Sequence, residues 1–182
     1  MSSPKILSVW GLITILFLAS WLLGSVPPTE AHTNVEKIVG TWKLISVEGV
    51  RPNGEVVYDW MGRNPVGLII YDLKGNVSFQ LMRDPRPMMV SDDLRKASVE
   101  ELKDAIAGYY AYFGTYEIDE KGGFVIHNIQ GSLRPSEVGT RNKRFIQLLE
   151  NQLIHTSPPF KSALYGEERY YRLVWERAEK NR

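Results

Sequence analysis

From residue 41 to residue 177 the chain is a succession of short runs rich in β-branched and aromatic residues, broken at close intervals by turn-forming residues. That rhythm predicts strands rather than long helices over most of this length. Eight runs qualify, at about 41–49, 66–72, 76–83, 113–119, 123–131, 141–149, 152–157 and 168–177. Between neighbouring runs, Lys74-Gly75-Asn76, Lys121-Gly122-Gly123 and Glu150-Asn151 supply residues that tolerate positive φ, as tight hairpins demand. Neighbouring strands therefore pair in sequence order. Eight antiparallel strands running up and down can close on themselves, which removes every exposed edge. The expected fold is all-β: an eight-stranded up-and-down antiparallel barrel.

One segment departs from the β rhythm. Val99, Leu102, Ile106, Tyr109 and Phe113 recur at spacings of three and four, which predicts one inserted helix at about residues 99–112. Ser98 followed by Glu101 is the capping-box pattern that starts such a helix. Its expected role is to cover an open end of the barrel and complete the core, the alternative being a ligand-gating lid.

Ahead of the strands, Ile6 to Leu23 is almost wholly apolar, follows Lys5 and gives way to Gly24-Ser25-Val26-Pro27-Pro28. Its length lies between that of a typical cleaved export signal and that of a membrane span. Residues 1–31 therefore read as a signal peptide or an N-terminal membrane anchor, with Trp10 and Trp21 as interfacial residues in the second case. Either way the folded part is expected outside the cytoplasm, secreted, periplasmic or tethered through residues 6–23. Residues 32–39 read as a linker, 40–178 as the barrel domain and 179–182 as a tail.

Charge and composition narrow the chemistry. Lys plus Arg number 22 against 21 Asp plus Glu, so no basic excess exists to hold a polyanion, and nucleic acid is not an expected partner. Cysteine is absent, which removes disulfides, thiolate metal sites and thiol nucleophiles together. The three histidines, His32, His127 and His155, are scattered in sequence, and no metal or cofactor motif is present.

Several segments carry a family likeness: Gly40-Thr41-Trp42-Lys43-Leu44, Pro65 to Asp72, Gln80 to Arg83 with Arg86-Pro87, Tyr112 to Glu117, His127, Gly139-Thr140, Arg144-Phe145 and Arg172 to Arg177. Together they resemble the lipocalin-like domain family, calycin-type barrels found mostly in bacterial and fungal proteins. The resemblance implies a barrel with an internal cavity and does not specify a ligand. It further implies that Trp42 plugs the closed end beneath an arginine of the final strand, Arg177 or Arg172.

Strand alternation then nominates cavity residues, since positions two apart share a face. Arg83 falls with Phe79 and Leu81, Arg144 with Ile146 and Leu148, His127 with Val125 and Ile129, and Tyr116 with Ile118. An apolar wall with a few polar groups suits a small hydrophobic or amphipathic ligand, and an arginine suits its carboxylate or enolate head. The candidate ligand-binding residues are Phe79, Leu81, Arg83, Tyr116, His127 and Arg144. Alternation leaves open whether His127 or its neighbours Phe124 and Ile126 face inward, and Arg83 could instead pair with Asp84 at a strand end. No spacing marks a catalytic nucleophile or an acid–base pair, so no catalytic residue is nominated. The expected function is small-molecule binding. The alternative is an isomerase or cyclase acting on a hydrophobic metabolite, with His127, Tyr116 and Arg144 moving protons or steadying an enolate.

Overall fold

The computed structural model describes residues 34–58, 60–162 and 165–178. The apolar run 6–23 and the tail 179–182, on which the export and tail readings rest, lie outside the described residues.

Eight antiparallel strands form a closed barrel: β1 (Gly40–Val50), β3 (Val66–Tyr71), β4 (Asn76–Met82), β5 (Tyr109–Asp119), β6 (Phe124–Ser132), β7 (Arg141–Leu148), β8 (Gln152–Thr156) and β10 (Glu168–Arg177). Each pairs with the next in sequence order, and β1 closes the barrel on β10. Two-residue strands β2 (Val56–Val57) and β9 (Phe160–Lys161) extend the sheet beside β1 and β10. In the hairpins, Gly75 and Gly123 take positive φ, whereas no non-glycine residue described does. Glu150-Asn151 therefore turns without the positive φ expected of it, in a loop where the Leu149 amide donates to the Gln152 carbonyl at 2.9 Å.

Alternation fills the interior as the period of two requires. Val77, Phe79 and Leu81 of β4, Val125, His127 and Ile129 of β6, and Leu173 and Trp175 of β10 are all buried. On β1 the alternation slips by one residue, because a bulge between Leu44 and Ser46 inserts Ile45. Trp42 and Leu44 point inward before it and Val47 after it, which leaves Ile45 exposed.

The closed end is built around Trp42, which is fully buried and whose Nε1 donates to the Ile38 carbonyl at 2.7 Å. The Arg177 guanidinium lies 4.1 Å from the centre of the indole and donates to the carbonyls of Val39 (3.0 Å) and Lys37 (2.6 Å). Arg172 instead pairs with Glu48 at 2.6 Å. Gly40 has φ 130°, and a Cβ there would press against Arg177 Nη1 at 2.9 Å. A glycine two places before the tryptophan thus leaves room for the arginine that covers it. The stretch read as a linker contributes to this end, for Asn34–Ile38 forms a short helix, α1, and Ile38 is fully buried.

The inserted helix, α2, spans Val99–Ala107, with the capping box of Ser98 and Glu101 formed in both directions. It stops five residues short of the expected 112, because Gly108 ends it and Tyr109 opens β5. Tyr109 and Phe113 happened to continue the helical spacing, yet they belong to a strand whose Tyr110 and Tyr112 face the core. No residue of α2 is buried, and Val99 and Ile106 are exposed, so the helix rests on the outside and does not complete the core.

A second bulge separates Phe113 from Gly114 where β5 meets β6. Any Cβ on Gly114 would overlap the Asn128 carbonyl oxygen. Gly114→Ala must push the strands apart there, and about 1–3 kcal/mol of lost stability is the expected result in denaturant unfolding. A variant within 0.5 kcal/mol of the parent by the same measurement would show that the ladder yields freely at this point.

Candidate functional site

The interior holds two polar features of different kinds, a sealed hydrogen-bonded network and an open cavity. Tyr112 Oη lies 2.6 Å from His127 Nδ1, and Tyr71 Oη lies 2.7 Å from His127 Nε2 and 3.2 Å from His155 Nε2. All four side chains are buried. Burial is the main reason that both tyrosine hydroxyls hold their protons far above the ordinary range and that His127 stays neutral well below it. His155 is pushed down to about 3, again chiefly by burial and then by the charge of Arg144.

The chain of bonds has a preferred direction. Tyr71 has a single proton and two histidine neighbours, so it donates to one and accepts from the other. If Tyr112 donates to His127 Nδ1, then His127 Nε2–H donates to Tyr71, Tyr71 donates to His155 Nε2, and only His155 Nδ1 is left without a partner. The reverse order leaves that nitrogen unmatched and also strands the Tyr112 proton, which has no second acceptor among the described residues. The first direction therefore costs less.

Above this network a cavity of about 670 Å³ lies at the barrel end remote from Trp42. Strands supply its walls, including Phe79 and Leu81 of β4, Tyr110 of β5, Arg144 of β7 and Leu173 of β10. Residues 157–162, Trp60 and Tyr165 form its rim. At the same rim Arg134 lies over Tyr110 (4.7 Å) and Trp60 (5.5 Å) and pairs with Glu137 at 3.5 Å. Tyr110 Oη (3.0 Å) and Ser132 Oγ (2.9 Å) donate to the same carboxylate.

Of the six residues nominated from sequence, Phe79, Leu81 and Arg144 line the cavity and the other three do not. Arg83 follows the end of β4 at Met82 and turns outward to Asp104 of α2 at 2.5 Å. Tyr116 lies toward the closed end, where its hydroxyl donates to the Asp72 carbonyl at 2.8 Å. His127 faces inward but below the cavity, with both ring nitrogens taken by tyrosines. Sequence reading missed Tyr71 and Tyr112 as partners of His127, and His155 as the second partner of Tyr71. Their positions on inward-facing parities were the available signal: Tyr71 shares a face with Ile69, and His155 with Leu153. Among the described residues no cluster of three or more histidine or acidic side chains could hold a metal ion.

A closed antiparallel barrel, plugged at one end by a tryptophan under an arginine and hollow at the other, is the architecture of the calycin class. The chain belongs to the lipocalin-like domain family, which matches residues 39–178. No curated protein matches the chain.

Proposed function

We propose that the protein binds a small hydrophobic or amphipathic molecule in the cavity at the open end of the barrel. One observation carries the reading: about 670 Å³ of space walled largely by apolar and aromatic side chains, within the range of small-molecule sites. Membership of a family of lipocalin-like barrels supports it. The apolar run Ile6 to Leu23 supports the further reading that binding takes place outside the cytoplasm, on an exported or tethered barrel. The mass of the mature N-terminus checks that part.

No observation favours the isomerase or cyclase reading over binding. Of its three groups only Arg144 lines the cavity, and His127 is fully engaged by Tyr71 and Tyr112.

Titration with the neutral fluorophore N-phenylnaphthylamine tests the binding reading. Saturable, blue-shifted fluorescence is expected from the wild type. Asn142→Trp, which adds an indole at a half-buried lining position, is expected to weaken it by about tenfold or more through loss of cavity space, with the fold intact by circular dichroism. Absence of saturable binding to the wild type, together with no molecule retained in native mass spectrometry, would sink the proposal.

A further inference from the structure

The cavity lining contains three cations, Arg134, Arg144 and Lys161, against one carboxylate, Glu137. Glu137 is consumed at the rim by Arg134, Tyr110 and Ser132. Lys161 is exposed at the rim, where water screens it. Arg144 differs from both. It projects from the inner face of β7, half-buried, and among the described residues it pairs with no carboxylate; its Nη1 donates to the Lys143 carbonyl at 3.0 Å. A guanidinium has five N–H donors, so most of its capacity remains open toward the cavity.

The floor beneath adds no second charge. Arg144 lies on the inner face of β7 between Asn142, which pairs with His127, and Ile146, which pairs with His155, so it borders the network. All four network groups, Tyr71, Tyr112, His127 and His155, are neutral near pH 7, so the inner end of the cavity presents a single positive charge among apolar walls. One planar fork matches one carboxylate in a bidentate pair. A dianionic phosphate would bring a second charge with no buried cation to meet it.

We propose that Arg144 is the head-group site of this cavity and that its ligand is a monocarboxylate with an apolar body, bound carboxylate-inward with the body along Phe79, Leu81 and Leu173. The inference rests on the reading of the cavity as a binding site and names the class of molecule that fills it. A straight-chain fatty acid and an aryl carboxylic acid share the required chemistry.

Displacement of N-phenylnaphthylamine by decanoic acid and by decanol, at equal chain length and pH 7.5, separates the two levels. Wild-type protein is expected to prefer the acid at least tenfold. Arg144→Gln should weaken the acid by about 10–100-fold, the range of a charge-assisted pair, and leave decanol within about threefold. Arg144→Lys should retain part of the preference, and Lys161→Gln all of it. Equal affinity of acid and alcohol for the wild type overturns the inference whatever the variants do, and leaves the cavity as a binding site for neutral molecules. An acid preference that survives Arg144→Gln and vanishes in Lys161→Gln also overturns it. Failure of N-phenylnaphthylamine to bind the wild type rejects the binding function itself. Decanoic and phenylpropanoic acids compared in the same assay divide the two sources.

Discussion

Trp42→Ala is expected to cost about 3–5 kcal/mol of folding stability, the range for removing a large aromatic side chain from a filled interior. Trp42 is fully buried at the point where the first strand meets both β3 and the final strand, opposite Ile69 and Arg177. Its loss opens a void, removes the Nε1 bond to the Ile38 carbonyl and leaves that acceptor unmatched. It also takes away the surface on which Arg177 lies. For a domain whose total stability is on the order of 5–15 kcal/mol, such a change removes a large share of it. Arg177→Ala should cost only about 1 kcal/mol, because the guanidinium is solvent-exposed and contributes one cation–π contact and two bonds to backbone carbonyls. In the Trp42→Ala background the arginine substitution should cost less again, since the ring contact is already gone. Urea unfolding of the four proteins gives the coupling. A loss below about 1 kcal/mol for Trp42→Ala, or strict additivity of the pair, would show that the closed end is not held by this stack.

The closed end was also the most legible part of the sequence, because its logic is local. A glycine with room above it, a tryptophan two residues on and an arginine at the chain's far end lie on two strands whose pairing follows from barrel closure. The strand ladder was legible for the same reason: alternation and turn residues are short-range signals. Where the reading failed, a different force set the outcome. Tyr109 and Phe113 continued a helical spacing by coincidence, and Gly108 together with pairing to β4 fixed them in a strand. Arg83 had the parity of a cavity residue, but the strand ended one residue earlier and Asp104 claimed the side chain. Tyr116 had the right parity and the wrong height, since position along the barrel axis depends on register rather than alternation. The network around His127 was the least visible. Tyr71 and His155 lie 84 residues apart, and only closure of the barrel brings the histidine onto the tyrosine hydroxyl.

That network carries the second large effect, a loss of stability on mild acidification well above the carboxylate range. His127 and His155 are both neutral when folded, with His155 pushed down to about 3 and His127 well below its ordinary value, first by burial. In the unfolded chain each returns to about 6.5. Between these limits the unfolded state holds a proton that the folded state refuses, so stability rises with pH across the window. The contribution is complete above pH 6.5 and is lost as pH falls, at about 1.4 kcal/mol per pH unit for each histidine, until the folded groups themselves protonate. Two histidines that both stay neutral in the barrel should together remove about 3 kcal/mol between pH 6.5 and pH 5. The groups facing the pair do not reverse the sign, for Tyr71 and Tyr112 stay neutral throughout and the Arg144 charge opposes protonation further. The carboxylates held low by hydrogen bonds, Asp72 and Glu101 among them, add their own losses only below their ordinary values of 3.8 and 4.5. Unfolding free energies at pH 7, 6 and 5 should therefore fall with a slope of about one proton over the first unit, where the unfolded histidines are half-titrated, and nearly two over the second. His155→Leu should halve that slope and cost about 1–3 kcal/mol at pH 7, since Tyr71 keeps His127 but loses the His155 Nε2 acceptor for its proton. His127→Leu should reduce the slope equally but cost more at pH 7, because it removes two buried bonds, one from each of the Tyr71 and Tyr112 hydroxyls, where His155→Leu removes one. Stability that stays flat from pH 7 to pH 5 in the wild type would mean that the folded barrel accepts these protons after all, and with them a charge at the cavity floor.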